Sequence, residues 1–280
     1  MASSKADPDR RSPQNSDPSR DPLVHLQEEG FLLDIPGLCS GPWLASMAPK
    51  MRPEKPPGGW ELSNEDRFDY PGDSYHYRLY TSKGPTVKRH ILWLPEDKIL
   101  LLADEVHACG RTGGPGGEFV YRTTLPIDGP AVFEPDSLAR EIYAVGARRK
   151  VLARIVPLSL PEWRSDRRAG DFSLTGEGLV LTAAGRNRLF AAILIDFEPT
   201  RVGRRVKMTW RRLTVGENSE KADDAVAVGF RYHAGGDQYL IYRSLEQAAP
   251  RSVLGEHILD GFVVSRFTPN EEADYVFRQP

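Results

Sequence analysis

The chain has 280 residues, 40% hydrophobic and 27% charged, with a formal net charge of -2. That balance suits a globule with a sizeable core, and the near-neutral charge gives no global drive toward nucleic acid or an anionic membrane. Cys39 and Cys109 lie far apart in unlike contexts and read as free thiols, and no apolar run reaches the roughly 18–20 residues of a membrane span.

Residues 1–22 alternate Asp, Arg, Ser and Pro with little to bury, which predicts a disordered tail. The first residues carry no apolar stretch of the kind that opens a secretory signal, so a cytoplasmic location is expected, and a secreted one only if the true start lies upstream. Leu23 to Glu29 reads as a short helical turn and Phe31 to Ile35 as a short strand. Pro42, Pro49, Pro53, Pro56 and Pro57 then crowd residues 41–59. Proline at that density removes the donors a β-ladder needs, so residues 23–59 are expected to form a Pro-rich arm or linker before a domain spanning 60–280.

A train of short alternating segments follows. Strands are predicted near 75–81, 88–95, 98–106, 117–125, 140–145, 149–158, 178–183, 187–198, 204–212, 224–232, 238–244, 260–267 and 274–278. The breaks between them are turn-rich, as at Ala184-Gly185-Arg186-Asn187 and Ala234-Gly235-Gly236-Asp237. Residues 89–106 show the pattern best, with two apolar runs separated by Pro95-Glu96-Asp97, which is hairpin chemistry. Asp136 to Tyr143 reads either as a loop or as one helical turn.

Face assignment points to layers. Val206, Met208 and Trp210 alternate with Arg205, Lys207, Thr209 and Arg211, and Val226, Val228, Phe230 and Tyr232 share a face. Leu189 to Phe197 is apolar on both faces until Asp196, so that strand must be covered on both sides, by the N-terminal arm or a partner domain. The predicted fold is all-β: a large antiparallel β-sandwich of supersandwich type with a disordered N-terminal tail and a Pro-rich arm.

Chemistry-bearing constellations are sparse. His90, Asp104 and His107 can approach across one hairpin, but the odd separation of Asp104 and His107 points them to opposite faces, and no metal site is assigned. Glu141, Glu162, Asp196 and Glu217 sit in apolar surroundings where carboxyl pKa values can rise, or where arginines can pair with them. The Gly110 to Gly117 loop lacks the Lys-Ser/Thr ending of a phosphate loop, and Cys109 beside His107 has no orienting third group. No cofactor is expected.

Arginine is the remaining signal, dense from Arg140 to Arg212 with Trp163, Phe172 and Trp210 nearby. Guanidinium forks suit carboxylates and sulfates, and aromatic rings can stack on sugars. The candidate recognition surface is therefore Trp163, Arg164, Arg205, Lys207, Arg211 and Arg243, each equally able to serve as a strand-face ion-pair partner. Nucleic acid is not expected, because acids interleave with the bases.

The segment Val87 to Val106 followed by Glu118 to Leu125 resembles the C-terminal β-sandwich of heparinase II/III-like polysaccharide lyases. Leu160 to Arg164, Thr209 to Glu217 and Tyr242 to Leu245 are similar to segments of large bacterial proteins associated with that family. The resemblance spans about residues 60–280. In those lyases an N-terminal α/α toroid supplies the catalytic Tyr, and this chain has neither the length nor the helical periodicity for one. The resemblance thus implies a non-catalytic sandwich that binds acidic polysaccharide, or docks a helical toroid partner. A standalone carbohydrate-active enzyme using two of the four named carboxylates is the alternative. A protein-interaction module that covers the apolar strand by homo-oligomerisation is the third reading.

Overall fold

The computed structural model describes residues 23–27, 30–40, 86–108, 118–127, 131–166, 169–267 and 273–280. The expected disordered tail, most of the Pro-rich segment, the strand near 75–81 and the Gly110 to Gly117 loop lie outside them.

Among the described residues twenty strands follow one another. They begin with β1 (Leu23–Gln27), β2 (Gly30–Ser40), β3 (Thr86–Leu94), β4 (Ile99–His107), β5 (Glu118–Leu125), β6 (Val132–Pro135) and β7 (Ile142–Val145). Next come β8 (Val151–Pro157), β9 (Gly170–Thr175), β10 (Gly178–Arg186), β11 (Arg188–Asp196), β12 (Met208–Leu213) and β13 (Gly216–Glu217). The last are β14 (Glu220–Lys221), β15 (Ala227–Ala234), β16 (Asp237–Ser244), β17 (Arg251–Val253), β18 (Glu256–Ile258), β19 (Phe262–Phe267) and β20 (Ala273–Gln279). No helix among the described residues is long and apolar enough to cross a membrane.

The strands form three antiparallel sheets. The main sheet runs β1-β2-β3-β4-β11-β8-β7-β6, with β10 joining β11, β5 and β9 off that path. A five-stranded sheet has the order β12-β15-β16-β19-β20, and a small one the order β14-β13-β17-β18. The protein is an all-β sandwich, and its cores resolve the layering. Phe190, Ala192 and Leu194 of β11 face Trp210, Phe230 and Tyr232 of the five-stranded sheet in one core. Leu189, Ala191 and Ile193 of the same strand face Phe119, Tyr121, Phe172 and Leu181 in a second. Leu240, Tyr242 and Val263 meet Val253 and Ile258 of the small sheet, with Val215 just before β13, in a third.

These three cores answer the question raised by the doubly apolar strand. Among the described residues its outer face is covered by β5, β9 and β10 of the same chain. The chain folds back at Asn187, whose φ of 62° is a left-handed conformation that asparagine tolerates, so β10 leaves the plane of β11 after one shared register pair. Burying each extra Leu or Ile is worth about 1.5–3 kcal/mol, which is the drive for this third layer.

Other expectations are revised. Leu23–Gln27 is a strand paired with β2, not a helical turn, and β2 in turn pairs with β3, so residues 23–27 and 30–40 extend the main sheet. Asp136 to Tyr143 forms no helical turn: the Asp136 carboxylate accepts the amides of Leu138 and Ala139, each at 2.8 Å, and β7 starts soon after. β12 starts at Met208 because residues 203–206 make a turn closed by the Val206 amide on the Gly203 carbonyl. The short strands β6, β9, β13, β14, β17 and β18 were not expected, since segments of two to six residues carry too little periodicity to read.

Candidate ligand-binding site

The interior polar groups are organised as closed clusters. On one side of the main hairpin, Asp104 on β4 takes both Nε and Nη2 of Arg89 at 2.7 and 2.8 Å and also accepts the Tyr121 hydroxyl. On the opposite face Glu105 accepts Arg243 through Nε and Nη2 at 3.0 and 2.8 Å, and its two oxygens lie 3.1 Å from His90 and 2.7 Å from His107. The alternation within β4 therefore separates Asp104 from the two histidines, as the odd spacing required. Among the described residues no group of three or more His, Cys, Asp or Glu is arranged to hold a metal ion.

Burial pushes the Glu105 carboxyl up, but the hydrogen bonds with His107 and His90 and the Arg243 charge outweigh it and hold it well below its usual value near 4.5. A depressed carboxyl stabilises the fold fully above its unfolded value and loses that contribution as pH falls toward the folded one. Wild-type protein is expected to lose about 1.4 kcal/mol per pH unit from this group below pH ~4.5. Glu105→Gln should be less stable at neutral pH and flatter below that point. Urea midpoints from pH 3 to 7 compare the two, and equal slopes would contradict the assignment.

The carboxylates considered as paired catalysts do not meet as a free pair. Glu141 accepts Arg154 Nε at 2.6 Å and the Tyr143 hydroxyl. Asp196, fully buried, binds Arg201 through Nε and Nη2 at 2.8 and 3.0 Å and accepts the Tyr232 hydroxyl at 2.7 Å. Glu217 pairs with Arg251. Glu162 is half-buried; burial raises its pKa, while Arg211 and the backbone amide of Trp210 act against that.

The residues expected to form a recognition surface lie on the loop after β8, the turn before β12, β12 itself and β16. Trp163, 55% exposed, lies in the loop after β8 and bridges to Ala139. Arg164 beside it holds that loop, donating to the carbonyls of Asp136 and Phe172 at 3.1 and 3.0 Å. Arg205 and Lys207 are exposed on the turn before β12, Arg211 is exposed on β12 itself, and Arg243 serves Glu105.

A concavity lies at the β10–β11 turn. A groove of about 660 Å³ is lined by Glu118 and Phe119 of β5, Gly185 and Arg186 of β10, Arg188 of β11, Arg212 of β12, and Lys221 to Ala225. Gly185 lets its floor close: a Cβ there would stand 2.9 Å from both the Phe119 ring and Leu189 Cβ. Arg188 is tied to Glu246 and to the Ala225 carbonyl, and Arg212 to Asp224 at 3.3 Å. Burial pushes the Arg212 guanidinium down, and Asp224 and Asp223 push it back up. Arg186 and Lys221 are exposed and form no ion pair among the described residues, although Glu118 lies opposite Arg186 in the ladder. Arg186 and Arg188 were passed over in the sequence; the signal available was an arginine on each side of the Asn187 turn.

No protein-family model matches the chain, and no curated protein matches it.

Proposed function

We propose that the chain is a non-catalytic β-scaffold that binds an acidic polysaccharide in the groove at the β10–β11 turn. The observation that carries this reading is the cationic lip. Arg186 and Lys221 stand exposed without ion-pair partners among the described residues, and Arg188 and Arg212 line the same groove held by acids. Guanidinium forks bind carboxylate and sulfate groups in a bidentate way, and the volume falls within the range of ordinary ligand pockets. The acids Glu118, Asp223 and Asp224 on the same walls temper the attraction, which favours a polymer offering spaced charges over a dense polyanion.

The non-catalytic part of the reading is supported by the engagement of Glu141, Asp196 and Glu217 with arginines, and by the absence of all four candidate carboxylates from the groove lining. The resemblance to heparinase II/III-like sandwiches is consistent with such a role. The interaction-module reading loses its support, because the outer face of β11 is covered from within.

An array of acidic polysaccharides tests the proposal. Retention on at least one is expected, weakened by salt and reduced roughly tenfold (about 1.4 kcal/mol) in the double variant Arg186→Gln/Lys221→Gln. No retention on any acidic polysaccharide refutes the function. Retention indifferent to the double variant refutes the groove as its site.

A further inference from the structure

The outer face of the five-stranded sheet carries a charge arrangement that the groove does not use. Arg211 on β12 and Arg231 on β15 are register partners, so both side chains leave the same face from adjacent strands, with Cβ atoms about 4.5–5.5 Å apart. That face is turned away from the main sheet, because the alternating neighbours Trp210, Phe230 and Tyr232 fill the core on the other side. Like charges directly opposite each other destabilise an antiparallel pair.

Three further features distinguish this pair from an ordinary solvated one. Neither arginine forms an ion pair with a carboxylate among the described residues; Glu162 acts on Arg211 only at longer range. Arg231 donates through Nη2 to Gln238 Oε1, which fixes the guanidinium plane, yet its Nε is buried and donates to nothing among the described residues. His233, two residues further along β15, shares the face and is half-buried. A buried donor without an acceptor is destabilising, as is the like-charge pair, so this sheet face holds two uncompensated features at one spot. One ligand class relieves the repulsion: an anion with enough oxygens for two guanidinium groups, met through nitrogens other than the enclosed Arg231 Nε.

We propose that Arg211 and Arg231, flanked by His233, form a binding site for a tetrahedral oxyanion of the sulfate or phosphate class. A tetrahedral anion presents three or more acceptor oxygens in different directions and can bridge side chains rising from neighbouring strands. A planar carboxylate offers two oxygens in one plane and satisfies one fork. Gln238 acts as the positioning residue that holds Arg231 ready. The site is independent of the groove and of the polysaccharide reading: the same chemistry is carried by a free inorganic ion or by an ester group on a larger molecule.

Titration calorimetry of the full chain with sodium sulfate, sodium phosphate and sodium acetate at matched ionic strength tests the site. Binding of sulfate or phosphate, with acetate at least about tenfold weaker, is expected. Arg211→Gln should weaken it roughly tenfold; this residue is exposed, so its loss leaves the fold intact. Arg231→Gln should do the same, and Arg186→Gln/Lys221→Gln in the groove should leave it unchanged. A monosaccharide sulfate or phosphate binding more tightly than the inorganic ion would support the site as a reader of esters, and the reverse order would support it as a site for the free ion. Sulfate and phosphate binding no better than acetate, or binding unaffected by Arg211→Gln, overturns the proposal.

Discussion

Asp196→Ala is expected to destabilise the fold by about 3–5 kcal/mol, the usual cost of removing one partner from a buried ion pair. Asp196 ends β11 and is fully buried, and it serves four donors: Arg201 twice, the Tyr232 hydroxyl, and the Glu198 amide at 2.9 Å. Without it, Arg201 keeps Asp237 at 2.9 Å and the Asp97 carbonyl, but Asp237 is part-exposed and cannot replace a bidentate interior contact. The cluster also ties layers together, since Tyr239 donates to Asp97 at 2.6 Å from the facing sheet. Urea unfolding should show a lower midpoint at an unchanged slope. The double variant Asp196→Ala/Arg201→Ala should cost clearly less than the two singles summed, with a coupling of about 0.5–3 kcal/mol. Strict additivity would mean that the two residues act separately, against the geometry.

Arg140→Met is expected to cost about 3–5 kcal/mol and to loosen one loop before the rest of the molecule. Arg140 is 0% exposed and binds no carboxylate directly among the described residues. Its guanidinium instead donates to four carbonyls: Pro161 at 2.8 Å, Gly170 at 3.2 Å, Trp163 and Asp166. Methionine fills much of the volume yet donates nothing, so buried carbonyl groups lose their partner at about 1–3 kcal/mol for each one left dry. The expected signature is local. Amide exchange and limited proteolysis should accelerate in residues 158–166 first, because that loop loses its central anchor and keeps only peripheral ones, such as the Arg140 amide on the Glu162 carbonyl and the Arg164 amide on the Leu138 carbonyl, each at 2.9 Å. Uniform loss of protection across the chain would instead mark Arg140 as part of the global core.

The arginine density that suggested a binding surface thus splits into two populations. Arg140, Arg154 and Arg201 are buried structural donors, while Arg205 and Arg211 are exposed. Nothing in the one-dimensional pattern separates them, because a guanidinium among apolar neighbours can either lie on the outward face or be drawn inward by a carboxylate far along the chain. Arg243 and Glu105 are 138 residues apart and meet only through packing of two sheets. The groove has the same origin: Glu118, Arg186, Arg212 and Lys221 come from four strands and converge only after β10 folds back.

What the residues determined unaided was local. Two-residue alternation marked most of the long strands and the inward faces at Met208–Trp210 and Val228–Tyr232, and the unbroken apolar run of β11 announced that both of its sides would be dry. Those properties depend on neighbours within a few positions, where strand geometry is fixed by sterics. Which strands supply the cover, which arginines go inside, and where cations gather around a hollow were decided by the tertiary structure. Those outcomes depend on pairing between distant segments, which packing of whole sheets selects and no short stretch of sequence encodes.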